Sequence, residues 1–455
     1  MDKDRNVVFA DLAVGVPPDV YRLYEIGQFA AADRRIEALL QDSRLPRPAA
    51  GALTALREMM RRLPQSYTLT RADALALLRR EIPDFSEEEF DALLAADRVD
   101  WRCLNGTPYY LDRFAEALRL YPDMNARGLR AEPGHAEVRD RMIRRMRQQG
   151  SASARITVRA SVAPAVAADP GAELRAWLPI PAACELQSDI EILDAPPHTE
   201  LAPEDAPQRT AYWQGQASKA PFTVTYRYTI RAPYHDMEHL TPDPVQPTFY
   251  THEEAPHLLF TPWLRALCAE VTEGCDGPVE KARAIYDYVT LHTRYRYQPA
   301  YVCLENISEG CAKSGWGDCG VMALLFIVLC RIAGIPARWQ SGLYVTPDHA
   351  GCHDWAQFYI APYGWLWADC SFGAGAHRTG DEARRRHYFG NLDPLRMVAN
   401  RGFYTQLTPP DEEWRNDPYD NQVGEAVLKG MPLHGQALSH SCEVLRFEEQ
   451  PDEKA

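Results

Sequence analysis

A cysteine, a histidine and an aspartate follow one another in a single stretch of this chain. Cys319 lies in a Gly-Asp-Cys-Gly motif, His353 in a His-Asp-Trp motif and Asp369 in a Trp-Ala-Asp motif. A thiol attacks as its thiolate, a neighbouring imidazole can take up its proton, and a carboxylate can orient and stabilise that imidazole. The three residue types therefore predict a cysteine nucleophile, its general base and the group that orients the base.

The residues after Cys319 predict a helix that begins at the cysteine itself. An apolar run from Val321 to Leu329 is followed by Gly334 and Pro336, the residue types that mark helix ends. The first amide groups of a helix lack intrahelical partners, and the helix dipole favours negative charge there. We therefore expect Cys319 in the first turn, where its thiolate is stabilised.

His353 and Asp369 are predicted on neighbouring strands, which cover residues 353–359 and 365–369 and are joined by a turn with Pro and Gly. Simple folding about this turn leaves the two residues about three positions out of register, so a bulge or a wider loop is expected to bring them together. Asp354 points to the opposite face of the strand and is expected at the surface.

These motifs, taken together, resemble the transglutaminase-like cysteine enzyme superfamily. The similar region runs from Pro278 to Asp369 and also contains the segments 281–289 and 334–338. The resemblance implies a papain-like fold, in which a helix bearing the cysteine packs on an antiparallel sheet bearing the other two residues. It also implies Cys319 as the nucleophile, His353 as the general acid and base, and Asp369 as its orienting residue.

Acyl transfer also needs hydrogen-bond donors for the developing oxyanion. The backbone N–H of Cys319 is the first candidate. Trp316 and Gln298 are the side-chain candidates, and each also has a structural interpretation. The sequence leaves this choice open.

The whole chain has 455 residues, 46% of them hydrophobic, and a formal net charge of -14. This composition indicates a globular protein of two or three domains and argues against a nucleic-acid partner. The sequence shows neither a membrane-span pattern nor a signal peptide, so we expect a cytoplasmic protein that binds a peptide or protein substrate and no membrane. Its oligomeric state is left open.

The eleven cysteines form no Cys-x-x-Cys pair, and no calcium-loop pattern occurs. We therefore expect no metal and no cofactor. Five of the cysteines lie near the predicted site: Cys303, Cys311, Cys319, Cys352 and Cys370.

Periodicity predicts an α+β chain in which a papain-like, transglutaminase-like catalytic domain is preceded by an immunoglobulin-like β-sandwich and an N-terminal helical domain. The predicted parts are a helical domain with a β-hairpin (1–127), a linker helix (128–150), the sandwich (151–235), the catalytic domain (236–400) and a C-terminal extension (401–455). Two polar stretches, Arg384–Pro394 and Asp417–Gln422, are predicted either to line a substrate groove or to cap the sheet.

The favoured function is hydrolysis of a peptide or isopeptide bond through a Cys319 thioester. Two alternatives remain: a transglutaminase that joins glutamine side chains to amines, and a non-catalytic papain-like binding platform. Peptide N-glycanase activity ranks below these, because it would be expected to bring zinc-binding cysteine pairs.

Overall fold

The computed structural model of the protein describes residues 4–130, 136–167, 169, 171–218 and 220–451. The α-helices are α1 (Pro18–Glu25), α2 (Phe29–Leu40), α3 (Arg47–Ser66), α4 (Arg71–Arg79), α5 (Glu87–Ala95), α6 (Phe114–Leu118), α7 (Pro122–Arg127), α8 (Ala136–Gln149), α9 (Pro262–Val271), α10 (Pro278–His292), α11 (Ile307–Ser314), α12 (Cys319–Ile332), α13 (Cys370–Arg378) and α14 (Glu382–His387). Short 3-10 helices cover Arg5–Val14, Tyr301–Cys303 and Gly435–Ala437.

The strands are β1 (Tyr67–Leu69), β2 (Trp101–Leu104), β3 (Thr107–Leu111), β4 (Ser151–Pro164), β5 (Glu173–Pro179), β6 (Gln187–Asp194), β7 (Glu200–Leu201), β8 (Thr210–Gln216), β9 (Phe222–Pro233), β10 (Arg294–Tyr295), β11 (Trp316–Gly317), β12 (Ala337–Thr346), β13 (His349–Ile360), β14 (Gly364–Ala368), β15 (Phe389–Gly390), β16 (Arg396–Asn400), β17 (Glu425–Leu428), β18 (Met431–Pro432) and β19 (Leu438–Gln450). Helix and sheet are thus mixed along the chain.

The first part of the chain is mainly helical and carries the predicted hairpin. Thr70 and Ser86 cap α4 and α5, each within a reciprocal capping box. The hairpin of β2 and β3 turns at Asn105 and Gly106, whose φ angles are 50° and 91°. Positive φ at both central residues is what a type I′ turn requires, so this prediction is confirmed.

The predicted linker helix is present as α8 and ends at Gln149, as the sequence indicated. Its predicted first residue, His135, lies outside the described residues. Met142 and Met146 are buried and join the core that also contains residues of β4, so the apolar side of this basic helix packs on the sheet.

Two further sheets combine strands from distant parts of the sequence. One has the order β18-β17-β5-β8-β7 and the other the order β19-β4-β9-β6. Strand β19 pairs along β4 from Leu438 opposite Pro164 to Gln450 opposite Ser153. The predicted C-terminal extension (401–455) thus supplies strands to the two sheets that contain β4 and β5. The unpaired backbone groups of β4 and β5 need partners, and the end of the chain supplies them.

Removing β19 should destabilise the protein strongly. A chain that ends at Ala437 loses the whole ladder to β4 and exposes its edge. We expect aggregation, or a melting temperature at least about 10 °C lower, measured by circular dichroism. A chain that ends at Pro451 keeps β19 and serves as the control. Equal melting temperatures for the two truncated chains would contradict this account.

The remaining five-stranded sheet has the order β15-β14-β13-β12-β16. Helix α12 packs on one face of it, where Phe326 meets Phe358 of β13 with ring centroids 5.7 Å apart. The helix ends at Ile332 and is followed by Gly334 with φ 79°, as its sequence pattern predicted. This sheet and α12 together position the candidate site.

Candidate active site

Cys319 is the first residue of α12, where the sequence predicted it. The side chain of Asp318 caps the helix by accepting a hydrogen bond from the backbone N–H of Val321 at 3.2 Å. The half-buried Cys319 side chain lines a cavity of about 1690 Å³. The nucleophile candidate therefore stands at a helix N-terminus that opens into a large cavity.

His353 and Asp369 meet inside the protein. Asp369 Oδ2 lies 2.7 Å from His353 Nε2, and both residues are buried. The pairing of β13 with β14 is regular and puts Ala356 opposite Ala368, so the expected bulge is absent. Asp369 instead leaves the end of β14 and reaches His353 diagonally, since side chains two positions apart share one face of a strand.

Asp369 also contacts groups other than His353. As the N-cap of α13, its Oδ1 accepts hydrogen bonds from the Phe372 N–H at 2.9 Å and the Ser371 hydroxyl at 3.1 Å. The fully buried guanidinium of Arg396 lies 3.0 Å from Oδ2. Asp369 Oδ2 thus contacts both the Arg396 guanidinium and the His353 imidazole, and these contacts fix the carboxylate in place.

Arg396 is a site residue that the sequence analysis missed. It lies on β16, pairs also with Asp393 at 3.0 Å, and stacks on Phe372 with 4.5 Å from its guanidinium carbon to the ring centroid. It stands in an otherwise apolar strand segment and belongs to none of the motifs. A charged residue inside such a segment was the available signal, because a buried charge requires partners.

Burial and the neighbouring charges have opposing effects on the pKa values of Asp369 and His353. Burial alone would raise the pKa of Asp369, but the His353 and Arg396 charges bring it below its ordinary value. Burial lowers the pKa of His353, and Asp369 offsets only part of that effect. The ring is therefore neutral at rest, with its Nε2 proton directed at Asp369 and Nδ1 left as the acceptor.

The sulfur of Cys319 contacts a different residue. Its thiol donates a hydrogen bond to Asp354 Oδ2 at 3.1 Å, and no hydrogen bond joins it to His353 among the described residues. Asp354 is only 4% exposed, so the prediction of a surface residue is wrong. The face of β13 opposite His353 is not solvent, because the beginning of α12 covers it.

Asp354 lies within a group of polar side chains. Its Oδ1 accepts a hydrogen bond from Gln422 Nε2 at 2.6 Å, and its carboxyl is in hydrogen-bond contact with that of Asp420. Tyr301 donates its hydroxyl proton to Asp318 Oδ1 at 2.6 Å. Residues of both predicted polar stretches line the cavity: Arg384 and Tyr388 from the first, and Asp417, Asp420 and Gln422 from the second. That they line a substrate groove stays a prediction.

This setting keeps the Cys319 thiol protonated. Burial raises its pKa well above the ordinary value, and the nearby Asp354 and Asp318 raise it further. The side-chain environment therefore outweighs the stabilisation that the helix N-terminus offers a thiolate.

The two side-chain candidates for the oxyanion differ in position. Gln298 lines the Cys319 cavity and donates its Nε2 proton to the Arg296 carbonyl at 3.0 Å. Trp316 is buried beneath the guanidinium groups of Arg294 and Arg296, 4.0 and 5.0 Å from its ring centroid, and is not among the residues that line the cavity. The role of Gln298 as a donor stays a prediction, and the position of Trp316 gives its role no support.

Three parts of the chain wall the cavity. Besides Cys319 and His353, the lining includes Arg113 of the helical part and Tyr226 of β9, as well as Cys442 of β19. In the part of the chain that the structure describes, no group of three or more His, Cys, Asp or Glu side chains could hold a metal ion.

Gly320→Ala should disturb this site. A Cβ at Gly320 would lie 2.3 Å from the Tyr301 hydroxyl, 2.7 Å from Asp354 Oδ2 and 2.7 Å from the Trp339 ring. We expect a loss of about 1–3 kcal/mol in unfolding free energy, measured by urea denaturation, because crowded buried atoms must shift.

Gly310→Ala, in helix α11, is the control for this prediction. Its Cβ would meet no atom within 4 Å. Alanine is the better helix former, so we expect unchanged or slightly higher stability. Equal stability of the two variants would contradict the close packing around Gly320.

Comparison with known proteins identifies the region that holds these residues. Residues 265–370 match the family model of the transglutaminase-like superfamily. A stretch of 124 residues is 26% identical to the uncharacterized protein YebA of Bacillus subtilis (strain 168), and the match spans 23% of this chain and 16% of YebA.

Two solved structures are similar over a wider part of the chain. A candidate cysteine protease from Cytophaga hutchinsonii is 14% identical with a TM-score of 0.42, and the match covers 66% of this chain and 98% of that one. The periplasmic domain of TgpA from Pseudomonas aeruginosa is 14% identical with a TM-score of 0.29, and the match covers 54% and 96%. TM-scores this low say nothing about activity.

Among the described residues, no helix combines the length and the apolar character needed to cross a bilayer. The motifs of Cys319, His353 and Asp369 all fall within the family match at residues 265–370. Residues 265–370 of this chain therefore form a transglutaminase-like domain.

Proposed function

We propose that the protein is a cysteine hydrolase that cleaves a peptide or isopeptide bond through a thioester at Cys319. The observation that carries this proposal is the buried contact of His353 with Asp369, with both His353 and Cys319 lining the same cavity. A histidine oriented by a carboxylate is a general base, and a cysteine at a helix N-terminus is a suitable nucleophile.

In the proposed reaction, the thiol proton of Cys319 passes to Nδ1 of His353 and the thiolate attacks the carbonyl carbon of the substrate. The backbone N–H of Cys319 and the Gln298 amide are the proposed donors to the oxyanion. When the C–N bond breaks, the imidazolium gives its proton to the leaving amine. Water then attacks the thioester with His353 as its base, which releases the acid and the free thiol.

The shape of the cavity favours a flexible peptide as the substrate. A volume of about 1690 Å³ exceeds the range of about 300–1,000 Å³ that is usual for small-molecule pockets. The helical part, the transglutaminase-like region and β19 all contribute walls, so an extended peptide could contact all three parts.

Two alternatives share this site. If an amine attacks the thioester in place of water, the product is an isopeptide bond and the protein is a transglutaminase. The second alternative is a non-catalytic binding platform, and one observation favours it: the Cys319 thiol is hydrogen-bonded to Asp354 and not to His353.

Incubating the protein with a peptide library, with and without a primary amine, separates these functions by product mass. Hydrolysis adds the mass of water across the cleaved bond, whereas transamidation adds the amine and releases ammonia. The Cys319→Ala variant is the control for contaminating peptidases. If the protein binds a peptide but converts none of it to product, the result favours the binding platform.

The cytoplasmic location and the immunoglobulin-like character of the sheets around β4 and β5 stay predictions. Fractionation of the native cells, with the protein followed by antibody, would test the first.

A further inference from the structure

We propose that Asp354 is a positioning residue that holds the Cys319 thiol protonated at rest, so that the nucleophile forms only when the sulfur moves from this carboxyl to the His353 ring. The inference deepens the proposed function and rests on it. Asp354 directly follows the histidine in sequence, but its carboxyl lies on the opposite face of β13.

The contact with the sulfur is specific and enclosed. Besides the 3.1 Å hydrogen bond to Oδ2, the backbone N–H of Asp354 is within hydrogen-bond reach of the sulfur. Gln422 holds the other carboxyl oxygen at 2.6 Å and also donates to the His353 carbonyl at 3.0 Å. The carboxyl is thus fixed between the C-terminal part of the chain and the nucleophile.

Acidic and neutral groups surround this carboxyl on every side. From α12 it faces Cys319 and the capping residue Asp318, from the C-terminal loop Asp420 and Gln422, and from the segment before α11 the hydroxyl of Tyr301, 3.5 Å from Oδ2. No Lys or Arg side chain in the described residues makes an ion pair with Asp354, Asp318 or Asp420. Arg113 is the cation whose charge acts on Asp318.

The carboxyls around the Cys319 sulfur cannot all be ionised at once. Two buried carboxyls in hydrogen-bond contact, like those of Asp354 and Asp420, must share a proton. A thiolate at the same place would add a negative charge against Asp354 and Asp318. The sulfur can therefore stay beside Asp354 only as a neutral thiol.

The surroundings of His353, in contrast, can stabilise a positive charge on its ring. Asp369 and Arg396 hold the Nε2 side of the ring, and Phe372 packs against it with ring centroids 4.5 Å apart. The free Nδ1 can accept the proton that the sulfur must lose. Rotation about the Cα–Cβ bond of Cys319, between staggered positions, takes the sulfur out of its hydrogen bond with Asp354. The cavity that Cys319 and His353 both line is the space through which the sulfur can approach the ring. The S–H bond then breaks as an N–H bond forms on Nδ1, which gives a thiolate and an imidazolium.

The test is the pH dependence of Cys319 alkylation by iodoacetamide in the full chain, followed by mass spectrometry of the peptide that contains Cys319. In the wild type we expect a midpoint above the value of about 8.5 for an unperturbed cysteine. A midpoint near or below neutrality would show a preformed thiolate and would overturn the proposal without any variant.

Asp354→Asn keeps the shape of the side chain but cannot carry its negative charge. We expect about tenfold faster alkylation at neutral pH and a lower midpoint, because a like charge is removed from the sulfur. Asp411→Asn removes another buried carboxyl, which pairs with Arg175 outside this cavity, and should leave the midpoint unchanged. An Asp354→Asn profile equal to that of the wild type would also overturn the proposal.

The alkylation test needs no substrate, whereas the proposed function is tested by turnover. The two can therefore fail separately. If Cys319→Ala abolishes turnover but Asp354→Asn leaves the alkylation profile unchanged, only the role of Asp354 falls. If Cys319→Ala keeps full turnover, the proposed function falls, and with it the role of Asp354 in catalysis.

Discussion

Replacing Cys319 with alanine is expected to remove turnover, with a loss of about ten-thousand-fold or more in kcat, since no thioester can form without the sulfur. His353→Ala should cause a loss of similar size, because the two residues act as one unit. The measurement is single-substrate kinetics on a peptide identified in the library experiment.

The double variant provides the internal control for this prediction. Residues that act together show strongly non-additive effects, so removing both Cys319 and His353 should cost about as much as removing either one. Losses that multiply would mean that the two residues act independently, which the proposed mechanism does not allow. Retained folding is checked by the melting temperature of each variant.

Arg396→Leu is the substitution expected to change stability most. It leaves Asp369 and Asp393 without the guanidinium that lies 3.0 Å from each of them in the buried interior. Breaking a buried ion pair by removing one partner costs about 3–5 kcal/mol, because the remaining charge stays buried and uncompensated. Urea denaturation of the full chain measures this loss, and His353 should lose its fixed orientation as well.

Arg35→Leu is the control at an exposed ion pair. Arg35 lies on α2 and pairs with Asp19 at 2.7 Å, and both side chains are about half exposed. Exposed ion pairs contribute about 0–1 kcal/mol, so the stability should change little. An Arg396→Leu variant as stable as Arg35→Leu would show that the buried charges near Asp369 rearrange at no cost.

The sequence predicted the elements that depend on local pattern. The apolar run after Cys319 and the Gly334 that ends it define α12 well. The alternation around His353 and the turn before Gly364 define β13 and β14. These signals lie within a few residues of the elements that they specify, so the elements can be predicted without knowledge of the fold.

The features that the sequence did not predict all depend on contacts between distant segments. The burial of Asp354 follows from the packing of α12 on β13, which a strand pattern alone does not reveal. The ion pair of Arg396 with Asp369 joins β16 to the residue that follows β14, a strand that does not neighbour β16 in the sheet. The pairing of β19 with β4 brings together residues separated by most of the chain, so no local pattern announces it.

The last part of the chain contributes Gln422 to the surroundings of the nucleophile and β19 to the edge of β4. The ribosome makes these residues after all the motifs that carry the chemistry. A nascent chain that has already exposed Cys319 thus lacks one wall of its cavity until Gln422 and β19 have been made. Activity should therefore arise only after these residues are made, and fragments that end before them would carry the thiol without its assembled surroundings.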